Sequence, residues 1–178
     1  MEYTVRSTYT RTDSHLWRAA DAAVVLVISV LLAFLLFRFV FVPCEVGANS
    51  VVEMREGDVV LVDRVSRFIV DYDLGDVLSA KTEEGSFFLR YAARAGQEYT
   101  VRNGRAYLDG ALIDESAYGG SWSEGVDFSV TVPEGSLLLL PDNRTGITDP
   151  ENFVVPYSDV YGAARFLILP FDRVRVLI

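Results

Sequence analysis

FLRYAARAGQEYTVRNGRAYLDG, residues 88–110, decides the fold class of this chain. Asn103-Gly104 stands between two runs rich in β-branched and aromatic residues. A two-residue Asn-Gly loop tolerates the positive φ angles of a tight hairpin, so a β-hairpin is predicted here. Asp109-Gly110 begins another turn. Working outward, DVVLVDRV (58–65), SFFLRYAARA (86–95), VDFSVTV (126–132), GSLLLLPD (135–142) and VYGAARFLIL (160–169) read as further strands. YGGSWSEG (118–125) reads as a surface loop, and no internal repeat or low-complexity tract is present. These residues predict a mainly β, mostly antiparallel domain.

Ahead of that domain, Ala22 to Phe37 reads AAVVLVISVLLAFLLF, with Ser29 as its only polar side chain. Arg38 interrupts, and FVFV carries the apolar run to Val42 before Pro43 ends the helix. The stretch is roughly 20 residues, the length that crosses a bilayer core as a helix. Arg38 lies near one end, where its long stem reaches the headgroups. No small-x-small site follows the run, which argues against a cleaved signal peptide. Pro43 before Cys44 argues against a lipoprotein. Arg6, Arg11 and Arg18 precede the span, so the positive-inside rule places the N-terminus in the cytoplasm. The expected organisation is a cytoplasmic segment 1–21, a transmembrane helix 22–42 and an extracytoplasmic β-domain 43–178, in a single-pass protein of the cell membrane.

Composition narrows the function classes. The 178 residues are about one domain's worth. With 23% charged and 51% hydrophobic residues, the chain is not disordered by composition. A net charge of −9 without a basic stripe excludes nucleic acid as a partner. The single cysteine, Cys44, permits neither an intrachain disulfide nor a cysteine metal cluster, and no cofactor is implied. There is one histidine, His15, and one lysine, Lys81.

Several segments, in order, resemble the type I signal peptidases, membrane-bound serine endopeptidases that remove signal peptides. FRFVFVP (37–43) resembles the outer end of the family's anchor, and EGDVVLVDRV (56–65) its first strand after the nucleophile. DLGDVLSA (73–80) resembles the Gly-Asp strand, and residues 88–110 the strand, turn and Asn-Gly hairpin that follow it. VPEGSLLLLPDNRTGITD (132–149) resembles the Val-Pro-Glu-Gly and Gly-Asp-Asn-Arg segment, and LPFDRV (169–174) the closing strand. The resemblance implies a signal-peptidase-like β-domain on one span. Its substrates would be secreted preproteins, cleaved by a serine whose proton passes to a neutral, buried lysine.

Carried over residue by residue, the pair is incomplete. Counting forward from Pro43 puts Ser50 at the nucleophile; counting back from Gly57-Asp58 puts Asn49 there. VVEMR (51–55) stands in place of the family's Met-x-Pro-Thr-Leu, with Glu53 bringing a charge. The alignment from Asp76 through Asn103-Gly104 needs no gap and sets Leu89 on the lysine, with Arg90 on the neighbouring arginine. Leucine accepts no proton, and a guanidinium stays protonated. Phe87, Leu89 and Tyr91 share one strand face and read as core. Lys81, eight residues before Leu89, reads as solvated. His15 lies before the anchor, on the wrong side of the membrane. Asp142, Asn143, Arg144 and Asp149 keep the family's supporting motif. Ile147 replaces the serine that would hold the lysine, Glu151 the arginine, and Pro141 the glycine.

Two function classes follow. The leading one is a non-catalytic member that binds preproteins or pilin-like polypeptides, as signal-peptidase-like pilus-assembly factors of Gram-positive bacteria do. The alternative is an active signal peptidase using Ser50 with an unconventional base such as Lys81. A blander option is a membrane-anchored β-domain with an unrelated partner.

Overall fold

The structure, a computed structural model, describes residues 11–47, 51–69, 71–82, 85–116, 120, 122–144, 147 and 149–177. They divide into two units, the chain up to Phe39 and Val40–Ile178.

The first unit is built on helix α1, Arg11–Val40, whose last residue belongs to the second. It has neither Gly nor Pro in its interior, and its apolar side chains, Leu16 to Phe39, are exposed on all sides. Leu16–Val40 covers 25 residues, which at about 1.5 Å per residue outspans a bilayer core of about 30 Å. The Ser29 hydroxyl donates to the Val25 carbonyl at 2.8 Å, so the one polar side chain in the run is satisfied within the helix.

The helix ends at Val40, and Phe41–Glu45 form strand β1. The sequence assigned Phe41 and Val42 to the span, but both pair with β2 (Val59–Asp63), Phe41 opposite Asp63 and Val42 opposite Val62. The residue before a proline is pushed towards extended backbone, so Pro43 draws Val42 into a strand. Pro43 lacks an N–H to donate, and β1 is an edge strand, where that loss is tolerated.

After the short helix α2 (Ser66–Ile69) come β3 (Val77–Thr82), β4 (Gly85–Arg94), β5 (Glu98–Arg102), β6 (Arg105–Leu108), β7 (Ala111–Leu112), β8 (Phe128–Thr131), β9 (Ser136–Leu140), β10 (Val154–Pro156), β11 (Val160–Leu169) and β12 (Arg175–Val176). All pairings are antiparallel. The larger sheet runs β1-β2-β11-β3-β4-β9-β10 with β12 on β11, and the smaller runs β7-β6-β5-β8. The predicted hairpin joins β5 to β6 with Asn103 at φ 49° and Gly104 at φ 72°. A second such turn, Asp109 at 51° and Gly110 at 81°, joins β6 to β7. Both have the pair of positive φ angles that a type I′ turn needs.

SLLLL, strand β9, shows where the core sits. Leu137 to Leu140 are all fully buried, as expected of a strand covered on both faces. Leu138 and Leu140 pack with Ala92, Ala93, Tyr99, Val101 and Val130, which seats the smaller sheet on the larger one. Leu137 and Leu139 join Leu78, Leu89, Tyr91 and Val160 on the other face. A further cluster, built on Val60, Val62, Phe88 and Leu167, lies under the segment that links β1 to β2.

Gly162 marks the closest backbone approach. Its φ is 152°, and a Cβ there would stand 2.0 Å from the Asp63 carbonyl oxygen. The β11–β3 register shifts at this residue. Backbone strain and overpacking then act together, so Gly162→Ala is expected to cost about 3 kcal/mol. Urea unfolding checks this; a loss below about 1 kcal/mol would contradict the packing described.

Candidate active site

Strand β4 organises the site because its side chains alternate between faces. Phe88 and Arg90 point to one side; Phe87, Leu89 and Tyr91 point to the other. Leu89 is 7% exposed and packs with Leu78, Ala80, Tyr91, Leu137 and Leu139.

Arg90 carries the electrostatics of the opposite face. Its Nε donates to Asp142 Oδ1 at 2.7 Å and its Nη2 to Oδ2 at 3.3 Å, a two-pronged pair between side chains 2% and 1% exposed. Nη1 donates to the Gly75 carbonyl at 3.0 Å, and Glu53 Oε1 stands 3.5 Å from Nη2. The Asp142 carboxylate also accepts the Val52 N–H at 2.8 Å. A residue from the end of β9 thus fixes the loop two residues after Ser50.

That loop is tied at many points. Val51 and Met54 are buried beside Val46, Val77 and Phe88. The Arg55 N–H donates to Asp58 Oδ2 at 2.8 Å. Arg173 reaches in from the C-terminal segment, donating to Asp58 Oδ1 at 2.8 Å and to the Glu53 carbonyl at 3.2 Å. Arg175 also donates to that carbonyl. Glu53, out of place by motif, is therefore held through both its side chain and its backbone. Ser50 and Asn49, the two candidates for the nucleophile position, lie outside the described residues.

Lys81 is exposed on β3. Val77, in the same strand, pairs with Arg90, so Lys81 lies roughly 13 Å farther along at about 3.3 Å per residue. The supporting motif is dispersed. Asn143 is exposed, and Asp149 caps the 3-10 turn Pro150–Phe153 by accepting the Glu151 N–H at 3.1 Å. Asp149 thus stands at the surface, with Glu151 in the position of the family's arginine. Ile147 packs against the cluster between the two sheets.

Arg144, 2% exposed, instead builds a second buried site. It pairs with Glu115, donates to the Tyr99 hydroxyl at 3.1 Å and to the Pro141 carbonyl at 3.2 Å, and lies 5.1 Å from the Trp122 ring centre. The Tyr99 hydroxyl donates to Glu115 at 3.0 Å and accepts the Trp122 Nε1–H at 3.1 Å. Burial raises the Tyr99 pKa more than the Arg144 guanidinium lowers it, so the phenol stays neutral. Sequence reasoning placed Arg144 in the supporting motif but missed Glu115, Tyr99 and Trp122. Glu115 sits in irregular chain with no motif around it. One legible signal was Gly120, where a Cβ would come within 2.8 Å of Arg144 Nη2.

Residues 19–169 fit the family described as signal peptidase, peptidase S26. The chain belongs to that family. It is 24% identical over 163 residues to Signal peptidase I S of Bacillus subtilis (strain 168), covering 84% of this chain and 89% of that one. Signal peptidase I T of the same organism is 26% identical over 164 residues, covering 84% and 85%. Probable signal peptidase I-1 of Synechocystis sp. (strain ATCC 27184 / PCC 6803 / Kazusa) is 27% identical over 163 residues, covering 83% and 81%. Among solved structures, a signal peptidase I from Enterococcus faecalis V583 aligns with a TM-score of 0.42 at 23% identity, covering 53% of this chain and 97% of that one. In this signal peptidase family member the two buried ion pairs fix loops around β4 and β9, while Leu89 packs among aliphatic side chains.

Proposed function

We propose that this signal peptidase family member binds preproteins or pilin-like polypeptides at the outer face of the cell membrane without cleaving them. The observation that carries the reading is Leu89. It occupies the position matched to the family's lysine, has no atom that accepts a proton, and packs against Leu78, Ala80, Leu137 and Leu139. Lys81 is exposed far along β3, which disfavours the active alternative with Ser50. The loop after Ser50 is nonetheless held by Asp142, Arg173 and Arg175, as suits a surface kept for binding. An extended segment laid along a strand edge is a mode this sheet architecture offers.

Anchoring through α1 supports a membrane location, with the β-rich unit from Phe41 onward outside. Phe166, exposed on β11, lies with its ring centre 6.2 Å from that of Phe41 on β1, and Val176, opposite Phe166 on β12, is exposed as well. Apolar side chains left exposed together fit a domain working against lipid.

The test is incubation of the full chain in detergent micelles with a preprotein bearing an Ala-x-Ala site. The expected result is capture of the intact preprotein, with wild type and Ser50→Ala alike. Cleavage that Ser50→Ala abolishes would overturn the reading and restore the serine peptidase. If neither preproteins nor pilin subunits are retained, the partner is of another class.

A further inference from the structure

Helix α2, Ser66–Ile69, is pinned to the sheet on one side and bare on the other. Ser66 is 2% exposed; its hydroxyl donates to the Asp63 carbonyl at 2.9 Å and accepts the Ala163 N–H at 3.4 Å. Arg67 Nη1 donates to the Val160 carbonyl at 2.8 Å. These bonds hold Phe68 and Ile69 outward, 75% and 74% exposed. Two adjacent apolar side chains fixed in the open call for an apolar surround that the described residues do not supply. The place of α2 in the chain says what covers it. Val40, the last residue of the apolar span, belongs to the β-rich unit, and its carbonyl accepts the Arg64 N–H at 2.9 Å. At about 3.5 Å per extended step and about 1.5 Å per helical one, Ile69 stays within roughly 12 Å of Arg64. Arg64 is exposed, and the Arg67 guanidinium lies 4.6 Å from the Phe68 ring centre. Neither arginine forms an ion pair among the described residues. The neighbouring Asp63 is engaged elsewhere, its Oδ1 accepting the Val65 and Ser66 N–H groups at 2.9 and 3.2 Å.

We infer that α2 dips into the bilayer surface at which α1 ends, with Phe68 and Ile69 among the upper acyl carbons and Arg64 and Arg67 on lipid phosphates. Guanidinium forks pair with phosphate oxygens, and their stems lie along the apolar layer beneath. An apolar tip flanked by cations is the pattern of an element that lies in a membrane interface. Asp71, exposed two residues beyond Ile69, keeps the insertion shallow. Lipid is favoured over a protein partner because the bilayer is already present at Val40, one hydrogen bond from Arg64. The element is a second attachment beside α1, and it sets which side of the β-rich unit meets the membrane. The inference rests on the membrane reading of α1 and is independent of whether a bound polypeptide is cleaved.

The experiment places a polarity-sensitive fluorophore on Ile69→Cys in a Cys44→Ser background, with the full chain reconstituted in phosphatidylglycerol–phosphatidylcholine vesicles. The control carries the label on Leu112→Cys, a position 60% exposed on β7. Lipids bearing a quencher just below the headgroup should quench the label at position 69 at least about threefold more than at 112. Phe68→Asp, and separately Arg64→Gln with Arg67→Gln, should each cut that quenching by at least about half, with circular dichroism unchanged. A label at 69 quenched no better than at 112, or quenching that neither variant reduces, would overturn the inference. So would a label at 69 that responds to added preprotein and not to lipid. A label on Ser29→Cys separates the two readings. Quenching at position 29 by a deep-lying quencher with water contact at 69 sinks the role of α2 alone; water contact at both sinks the anchor as well.

Discussion

Asp142→Ala is expected to destabilise the β-rich unit by about 3–5 kcal/mol, the usual cost of stranding one member of a buried ion pair. Arg90 is 2% exposed and would keep the Gly75 carbonyl and the more distant Glu53 as partners. Both prongs of its pairing would be gone, and the Val52 N–H would lose its acceptor. The effect therefore has two readouts. Urea unfolding should show the lost stability, and amide exchange at Val52 should speed up as the loop loosens. Replacing both partners, Arg90→Met with Asp142→Leu, should recover most of the stability, because no uncompensated charge remains. It should not restore slow exchange at Val52. If Asp142→Ala costs less than about 1 kcal/mol, the pair is not the buried tether described.

Leu89→Lys should have an even larger effect at neutral pH. A lysine in fully apolar surroundings has its pKa lowered by up to about 3–5 units, equivalent to about 4–7 kcal/mol. The sign with pH follows from linkage. The unfolded lysine titrates near pH 10.4, while the folded one would release its proton several units lower. Between those values the unfolded state binds more protons, so stability rises with pH by about 1.4 kcal/mol per unit. The deficit relative to wild type should be largest near pH 7 and should shrink markedly by pH 9.5. Paired urea unfolding curves at the two values measure it, with wild type subtracting every other titrating group. A deficit unchanged between them would mean that the ammonium reaches water along the strand and that position 89 is not sealed.

Much of the fold is legible in local chemistry. Asn103-Gly104 and Asp109-Gly110 specify their hairpins because few other residue pairs accept two successive positive φ angles. Period-two alternation in β4 separates Phe88 and Arg90 from Leu89 and Tyr91 before any partner strand is known. The span is readable from its length and apolarity, though its end is not. Phe41 and Val42 are as apolar as a span requires, and they become strand only because β2 is there to pair with them.

The site was legible in part. The replacement of lysine by Leu89 is a matter of residue identity, and the sequence shows it outright. The role of Glu53 is not readable, since beside VVEMR it is a misplaced charge, and only the fold brings Arg90, Arg173 and Arg175 to it. Asp149, grouped by motif with Asp142 and Arg144, turns to the surface as a cap.

The sequence by itself determined the apolar helix, the hairpins, the two faces of β4 and the lack of a proton-accepting side chain at position 89. Each depends on backbone preference or side-chain chemistry within a few residues. Only the tertiary structure decided which charges meet: Arg90 with Asp142 across 52 residues, Arg144 with Glu115 across 29, and Arg173 with Asp58 across 115. The reason is physical. A buried charge takes the partner that sheet register and burial leave within reach, and neither quantity is encoded in the spacing along the chain.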